Sequence, residues 1–126
     1  MAKRTLYPKT VARSSSPISP GVQLGNMVFV SGQVALDEER KVIGRGEVKS
    51  QTRFVITRIQ QILAEVGLKL DDVVSTTVYI VNIMDFKAMN EVYAEMFGPD
   101  FPARATVRAD LMAEGALVEI SAIAGR

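Results

Sequence analysis

The spacing of hydrophobic residues changes along the chain, and each change predicts a different secondary-structure element. Between positions 22 and 30, two short apolar runs flank Gly25 and Asn26. This pair suits a type II′ turn, so the segment is predicted to be a β-hairpin. Between positions 47 and 66, apolar residues recur every three or four positions, which predicts an amphipathic helix capped by Gly67.

The second half of the chain alternates strand patterns with one more helix pattern. Residues 73–81 are mostly β-branched, which predicts a strand. Asp85 is placed to N-cap a second helix that stops at Gly98. Two further strands are predicted at 105–111 and 117–124, joined by a turn, and a tight hairpin would make them neighbours.

The order of these elements predicts the fold class. Residues 8–20 hold three of the five prolines and a run of serines, so they are predicted to form an irregular connection after a short strand at 4–7. The remaining order, β-β-helix-β-helix-β-β, predicts a single α+β domain over 1–126, a two-layer sandwich with both helices on one face of a mixed sheet. At least one crossover should be parallel and right-handed. Because the other face would be left uncovered, the pattern also predicts oligomerisation.

The composition excludes several classes of active site. The 126 residues include neither histidine nor cysteine. The chain therefore cannot hold a disulfide framework, a thiolate nucleophile, a Ser–His triad or the usual ligands of zinc, haem and iron–sulfur clusters. Any catalysis must rest on carboxylates, hydroxyls, guanidinium groups, amines and backbone dipoles.

The charge balance and hydropathy narrow the possible partners and location. Fifteen basic and 14 acidic residues give a net charge of +1, which argues against a nucleic-acid protein that neutralises phosphates with a basic patch. No segment approaches the ~20 apolar residues of a membrane span. No apolar segment follows the basic residues near the start, so we expect a cytoplasmic protein.

Arg104 is the first candidate for a ligand-binding or catalytic residue. It stands near the start of a predicted strand, in Phe-Pro-Ala-Arg-Ala-Thr-Val, among small and apolar residues. A guanidinium held there offers a planar fork for a carboxylate or a phosphate. From position alone, the alternative is a surface arginine whose stem covers apolar neighbours.

Glu119 is the second candidate, because it lies inside the hydrophobic strand Leu-Val-Glu-Ile-Ser-Ala-Ile. It is either on a solvated face or a desolvated general base with a shifted pKa. If the last two strands form a tight hairpin, Glu119 and Arg104 lie at the same end of neighbouring strands. They would then form either a structural ion pair or a substrate clamp beside a base.

Two further positions offer polar groups. Ser31 and Gly32 end the predicted hairpin and could present backbone amides to an anion, although such pairs are also ordinary turns. Asn90 lies on the second predicted helix, where a solvated position is the alternative to a ligand-binding one.

These segments together resemble the Rid family of reactive-intermediate deaminases, also called YjgF-like proteins. Residues 25–33 are similar to the early hairpin of the family, and 90–93 fit its second helix. Residues 102–107, followed by 118–124, are similar to its C-terminal signature. The resemblance covers nearly the whole chain.

The resemblance implies a chorismate-mutase-like fold and a homotrimer whose sheets form a central barrel with three intersubunit clefts. It implies hydrolysis of 2-imino acids, or their enamine tautomers, to 2-keto acids and ammonia, with no metal and no cofactor. Arg104 would hold the substrate carboxylate and Glu119 would orient or deprotonate water. Backbone groups near Gly32 and Thr106 would hold the carboxylate and the imine nitrogen, with Ser31 and Asn90 in the same substrate site.

Two positions depart from the family pattern. Ile18 replaces a tyrosine of the N-terminal loop that lines the cleft, and Thr106 replaces a cysteine that is common in the deaminase subgroup. Ile18 favours the alternative of a family member that binds a small carboxylate without deaminating it. Endoribonuclease activity, a third alternative, is disfavoured by the net charge, the lack of histidine and the lack of an aromatic stacking surface.

Overall fold

Six strands form one mixed sheet in the computed structural model, which describes residues 2–126. The strand order across the sheet is β1-β2-β3-β6-β4-β5. The strands are β1 (Arg4–Leu6), β2 (Gly21–Leu24), β3 (Met27–Gln33), β4 (Val73–Ile80), β5 (Ala103–Arg108) and β6 (Val118–Gly125). The helices are α1 (Val48–Ala64) and α2 (Phe86–Phe97), with short 3₁₀ turns at Leu70–Asp72 and Ile83–Asp85.

Both helices cover the same face of the sheet, so the predicted two-layer α+β architecture is confirmed. Burial alternates along β6: every second residue from Val118 to Ala124 is buried in one core with α1 and α2. Glu119, Ser121 and Ile123 therefore lie on the opposite face. No helix within residues 2–126 is long and apolar enough to cross a membrane.

The β2–β3 hairpin is present as predicted. Gly25 has a φ of 60°, whereas Arg40 is the only non-glycine residue with positive φ in the described chain, so Asn26 has negative φ. This combination fits a type II′ turn. The predicted end of the second strand is wrong, because β3 continues past Gly32 to Gln33 through a register shift against β6.

The last two strands do not form the predicted hairpin. β5 pairs only with β4. The two strands are parallel and are connected in sequence through α2, which confirms the predicted parallel crossover. β6 inserts between β3 and β4 and is antiparallel to both. β4 therefore separates β5 from β6, and the expectation that Arg104 and Glu119 lie on neighbouring strands is wrong.

The caps predicted for the helix ends are confirmed only in part. Gly67 adopts a φ of 75°, and the Leu68 amide donates to the carbonyl of Leu63, so the predicted glycine cap of α1 is confirmed. Asp85 occupies the N-cap position of α2, but its side chain makes no capping hydrogen bond. Asn82 instead accepts from the Met84 amide and starts the preceding 3₁₀ turn.

A buried glutamine fixes the start of β6. Gln51 on α1 accepts a hydrogen bond from the Leu117 amide (2.7 Å) and donates to the carbonyls of Gly115 (3.0 Å) and Gly44 (3.2 Å). One amide side chain thereby satisfies three backbone groups that the packing of α1 removes from water. It also places the residues just before Glu119.

The face of the sheet opposite the helices carries exposed apolar side chains. Phe29 on β3 is 44% exposed, and Met27 and Val107 are exposed on the same face. Removing large apolar side chains from water makes the main favourable contribution to the free energy of protein association. An uncovered face of this kind agrees with the predicted oligomerisation.

Candidate active site

Arg104 lies on the edge strand β5 and points toward α2. It is aligned with the buried Thr76 in the β4–β5 ladder, which places its side chain on the helix-covered face. Its guanidinium carbon is 4.7 Å from the centre of the Tyr93 ring and 5.8 Å from that of Phe86. Within residues 2–126, no carboxylate forms an ion pair with Arg104.

A recess of about 310 Å³ opens beside the guanidinium. It is lined by Arg104, Asn90, Tyr93, Ala94, Phe101 and Pro102. The structure therefore brings two predicted site residues, Arg104 and Asn90, together. Thr106 follows two positions later on the same face of β5 and is half-buried. We call Asn90, Arg104 and Thr106 the arginine half-site.

Glu119 lies on the other face of the sheet, beside Gly32. A Cβ on Gly32 would lie 2.7 Å from the carboxyl carbon of Glu119, so a side chain at position 32 would displace this carboxylate. Burial raises the pKa of Glu119 above its usual range. Within the described chain, Glu119 has no basic partner, and a half-buried carboxylate with a raised pKa suits a general base.

Ser31 anchors the N-terminal loop next to Gly32. Its amide donates to the carbonyl of Pro20 (2.9 Å), so the prediction that this amide is presented to an anion is wrong. Its hydroxyl donates to the carbonyl of Ser19 (2.5 Å). The loop is thereby held over the end of β3, and it presents Ile18 with 54% of its surface exposed. We call Ile18, Ser31, Gly32 and Glu119 the glutamate half-site.

A small cavity adjoins the glutamate half-site. Ile18, Ser31 and Gly32 line it, and its volume is about 60 Å³. Glu119 does not line this cavity, so the cavity does not bring a ligand against the carboxylate.

The two half-sites are far apart in one chain. Thr76 is aligned with both Arg104 and Ala122, whereas Glu119 is aligned with Tyr79. Arg104 and Glu119 are thus two strands apart and offset along the ladder, roughly 10 Å in each direction, and they lie on opposite faces. A structural ion pair between them within one chain is excluded.

Sequence reasoning missed the aromatic surroundings of Arg104. Phe86 and Tyr93 are seven positions apart, a spacing that puts both on one face of a helix. That spacing was the available signal, but Phe86 and Tyr93 also fit an ordinary core stripe. Only the packing of α2 against the edge of β5 shows which side chain they contact.

Comparisons with known proteins agree over nearly the whole chain. The family model described as endoribonuclease L-PSP matches residues 9–125. A RutC family protein of Pyrococcus abyssi is 41% identical over 124 residues, covering 98% of each chain. The 3-aminoacrylate deaminase RutC of Acinetobacter baylyi is 36% identical over 124 residues, again covering 98% of each chain. The crystal structure of RidA from Psychrobacter sp. superposes with a TM-score of 0.89 at 31% identity, covering 98% of this chain and 99% of that one.

Proposed function

The chain belongs to the endoribonuclease L-PSP family, the family of the Rid or YjgF-like proteins, and from this premise we propose that it hydrolyses 2-imino acids and their enamine tautomers to 2-keto acids and ammonia. One relative is named 3-aminoacrylate deaminase. 3-Aminoacrylate is an enamine acid with its nitrogen on C3 rather than C2, so the name supports deamination of an enamine or imine acid in general. The observation that carries the proposal is a pair of charged groups with no ion-pair partner among residues 2–126, the guanidinium of Arg104 and the half-buried carboxylate of Glu119.

The chemistry of each group fits one step of the reaction. Arg104 holds the substrate carboxylate with two charge-assisted hydrogen bonds, and Asn90 lies within the same recess. Glu119 accepts a proton from water as the water oxygen adds to the electrophilic iminium carbon. Glu119 then returns that proton to the nitrogen of the tetrahedral carbinolamine. The carbinolamine hydroxyl gives its proton to Glu119 as the carbon–oxygen double bond forms and the carbon–nitrogen bond breaks. The 2-keto acid and ammonia leave, and the ammonia takes up the proton from Glu119 as ammonium.

A site that uses both groups needs two copies of the chain. Arg104 and Glu119 lie on opposite faces within one chain, so Arg104 of one copy would complete the glutamate half-site of a neighbour. The exposed apolar face with Phe29 gives the copies a reason to associate. We propose a homotrimer with three intersubunit sites.

The trimer predicts a mass near three chains of 13.7 kDa each. Sedimentation or light scattering at micromolar concentration measures it. A clean monomer would contradict the shared site, because neither half-site alone holds both charged groups.

A turnover assay tests the proposed function. 2-Iminobutyrate is generated in situ from threonine by a dehydratase, and the loss of the imine is followed with and without the protein, while 2-ketobutyrate is titrated in parallel. Faster loss of the imine supports hydrolysis. Binding of 2-ketobutyrate without faster loss would support the second candidate, a carboxylate-binding protein, which the apolar Ile18 favours.

Ile18 predicts the preference among imines. Because its exposed side chain makes the glutamate half-site apolar, the imine of leucine should be hydrolysed better, relative to the imine of alanine, than by a protein with a polar residue there. Ile18→Tyr adds a hydroxyl and should raise the rate on the small imine by about three- to tenfold, the value of one hydrogen bond. The rates on both imines measure this. A variant of equal stability that is slower on both would contradict it.

A further inference from the structure

Arg104 is held in a different way from the ion-paired arginines of this chain. Arg126 donates to Asp72 (3.0 Å), and Arg53 forms an ion pair with Glu95. Arg104 has no such pair within residues 2–126 and instead lies against two aromatic rings. A carboxylate partner would occupy its N–H donors and compete with an anionic ligand. Stacking orients the guanidinium plane and leaves the donors in that plane free.

Tyr93 is the nearer and more rigid of the two rings. It is only 4% exposed, and its ring centre is 4.6 Å from that of Phe97 on the side of the core. Its hydroxyl lies 2.6 Å from the Thr76 hydroxyl, which is also buried at 2% exposure. Burial raises the pKa of Tyr93 more than the Thr76 hydrogen bond and the nearby Arg104 lower it, so the phenol stays neutral.

Thr76 connects the ring back to the strand that carries the arginine. It is the ladder partner of Arg104 in the β4–β5 pair. Thr76 therefore fixes two things at once: the position of the Arg104 backbone in the ladder and the Tyr93 ring that lies against the Arg104 guanidinium. Phe86, 43% exposed, approaches the same guanidinium from two turns earlier on α2.

We propose that Tyr93, fixed by Thr76, is a positioning residue that holds the Arg104 guanidinium in place for a substrate carboxylate without occupying its hydrogen-bond donors. This inference rests on the proposed function, because it takes Arg104 as the carboxylate ligand. Phe86 adds a weaker contact of the same kind. The ligand is the α-carboxylate of a 2-imino or 2-keto acid.

A double-mutant cycle on the affinity for 2-ketobutyrate tests the proposal. Tyr93→Leu should weaken binding about tenfold, within the range of a partly desolvated cation–π contact. In the Arg104→Ala background, Tyr93→Leu should change the affinity by less than about twofold, because Tyr93 acts on the ligand only through Arg104. Tyr93→Phe keeps the ring and should stay within about threefold of the parent.

Two further variants separate positioning from loss of stability. Leu63→Ala removes a buried aliphatic side chain from α1, which carries no residue of either half-site, and it should lower the melting temperature without changing the affinity for 2-ketobutyrate. Phe86→Leu removes an exposed ring, so it will fold, and it should weaken binding about two- to threefold.

The outcomes distinguish this inference from the proposed function. Should Tyr93→Leu and Phe86→Leu bind 2-ketobutyrate like the parent while Arg104→Ala binds it weakly, the positioning role of the two rings is wrong and the proposed function stands. Equal weakening by Leu63→Ala and Tyr93→Leu would also overturn the positioning role of the rings. If Arg104→Ala binds 2-ketobutyrate normally, Arg104 is not the carboxylate ligand, and the positioning role of Tyr93 is wrong as well.

Discussion

Glu119→Gln is expected to lower the rate of imine hydrolysis by about two orders of magnitude or more, the usual value of a positioned general base. The amide keeps the shape of the side chain beside Gly32 but cannot take a proton from water. The affinity for 2-ketobutyrate should change little, or increase as a negative charge is lost. Turnover of 2-iminobutyrate, with 2-ketobutyrate titrations in parallel, measures both effects.

The pH dependence of the wild-type protein gives a second readout on Glu119. Only the deprotonated carboxylate can act as base, so kcat/KM should rise as pH increases through the pKa of Glu119, which burial shifts above its usual range. This acid limb should vanish from the residual activity of Glu119→Gln. Glu114→Gln makes the same charge change on an exposed residue and should behave like the parent. Unchanged turnover in Glu119→Gln would place water activation elsewhere.

Arg104→Ala is expected to weaken binding of 2-keto acids by about ten- to a hundredfold, because it removes charge-assisted hydrogen bonds made in both the ground state and the transition state. Arg104→Lys should recover only part of this affinity, since an ammonium group cannot form the bidentate contact or stack on Tyr93 as a planar group. Isothermal titration with 2-ketobutyrate measures the loss.

Arg108→Ala is the matched control for Arg104. Arg108 lies four positions later on β5, on the same face of the strand, and is exposed. Its removal deletes one positive charge at a site away from the recess, so affinity should fall less than about twofold. An equal loss in Arg104→Ala and Arg108→Ala would show that only the overall field, and no direct contact, attracts the anion.

The elements that sequence predicted well are those set by local chemistry. The turn at Gly25 and Asn26 is dictated by which residues tolerate positive φ, and α1 is marked by a long apolar repeat that ends at Gly67. These features need no knowledge of distant parts of the chain. The choice of Arg104 and Glu119 as candidates was also local, since each is a charged residue in an apolar strand; their roles stay predictions.

The relation between the two candidates could not be predicted, because it depends on which strands pair. Two consecutive strands usually neighbour each other, but here β6 enters between β3 and β4. That placement moves Glu119 to the side of Gly32 and leaves Arg104 at the edge of the sheet. Gln51 was likewise hidden, since two of its three backbone partners, Gly115 and Leu117, are 64 and 66 residues away in sequence.

Mixed assemblies of two impaired variants test most directly whether imine hydrolysis occurs at a site shared between copies. Arg104→Ala and Glu119→Gln chains, combined at equal amounts and assembled at random, should regain about a quarter of the wild-type activity, because about a quarter of the shared sites then receive both intact residues. Measured as kcat/KM, Glu119→Gln alone should stay at about one-hundredth of wild type or below, and Arg104→Ala alone at about a tenth to a hundredth. Mixed trimers that form but regain no activity would contradict a site built from Arg104 of one copy and Glu119 of its neighbour.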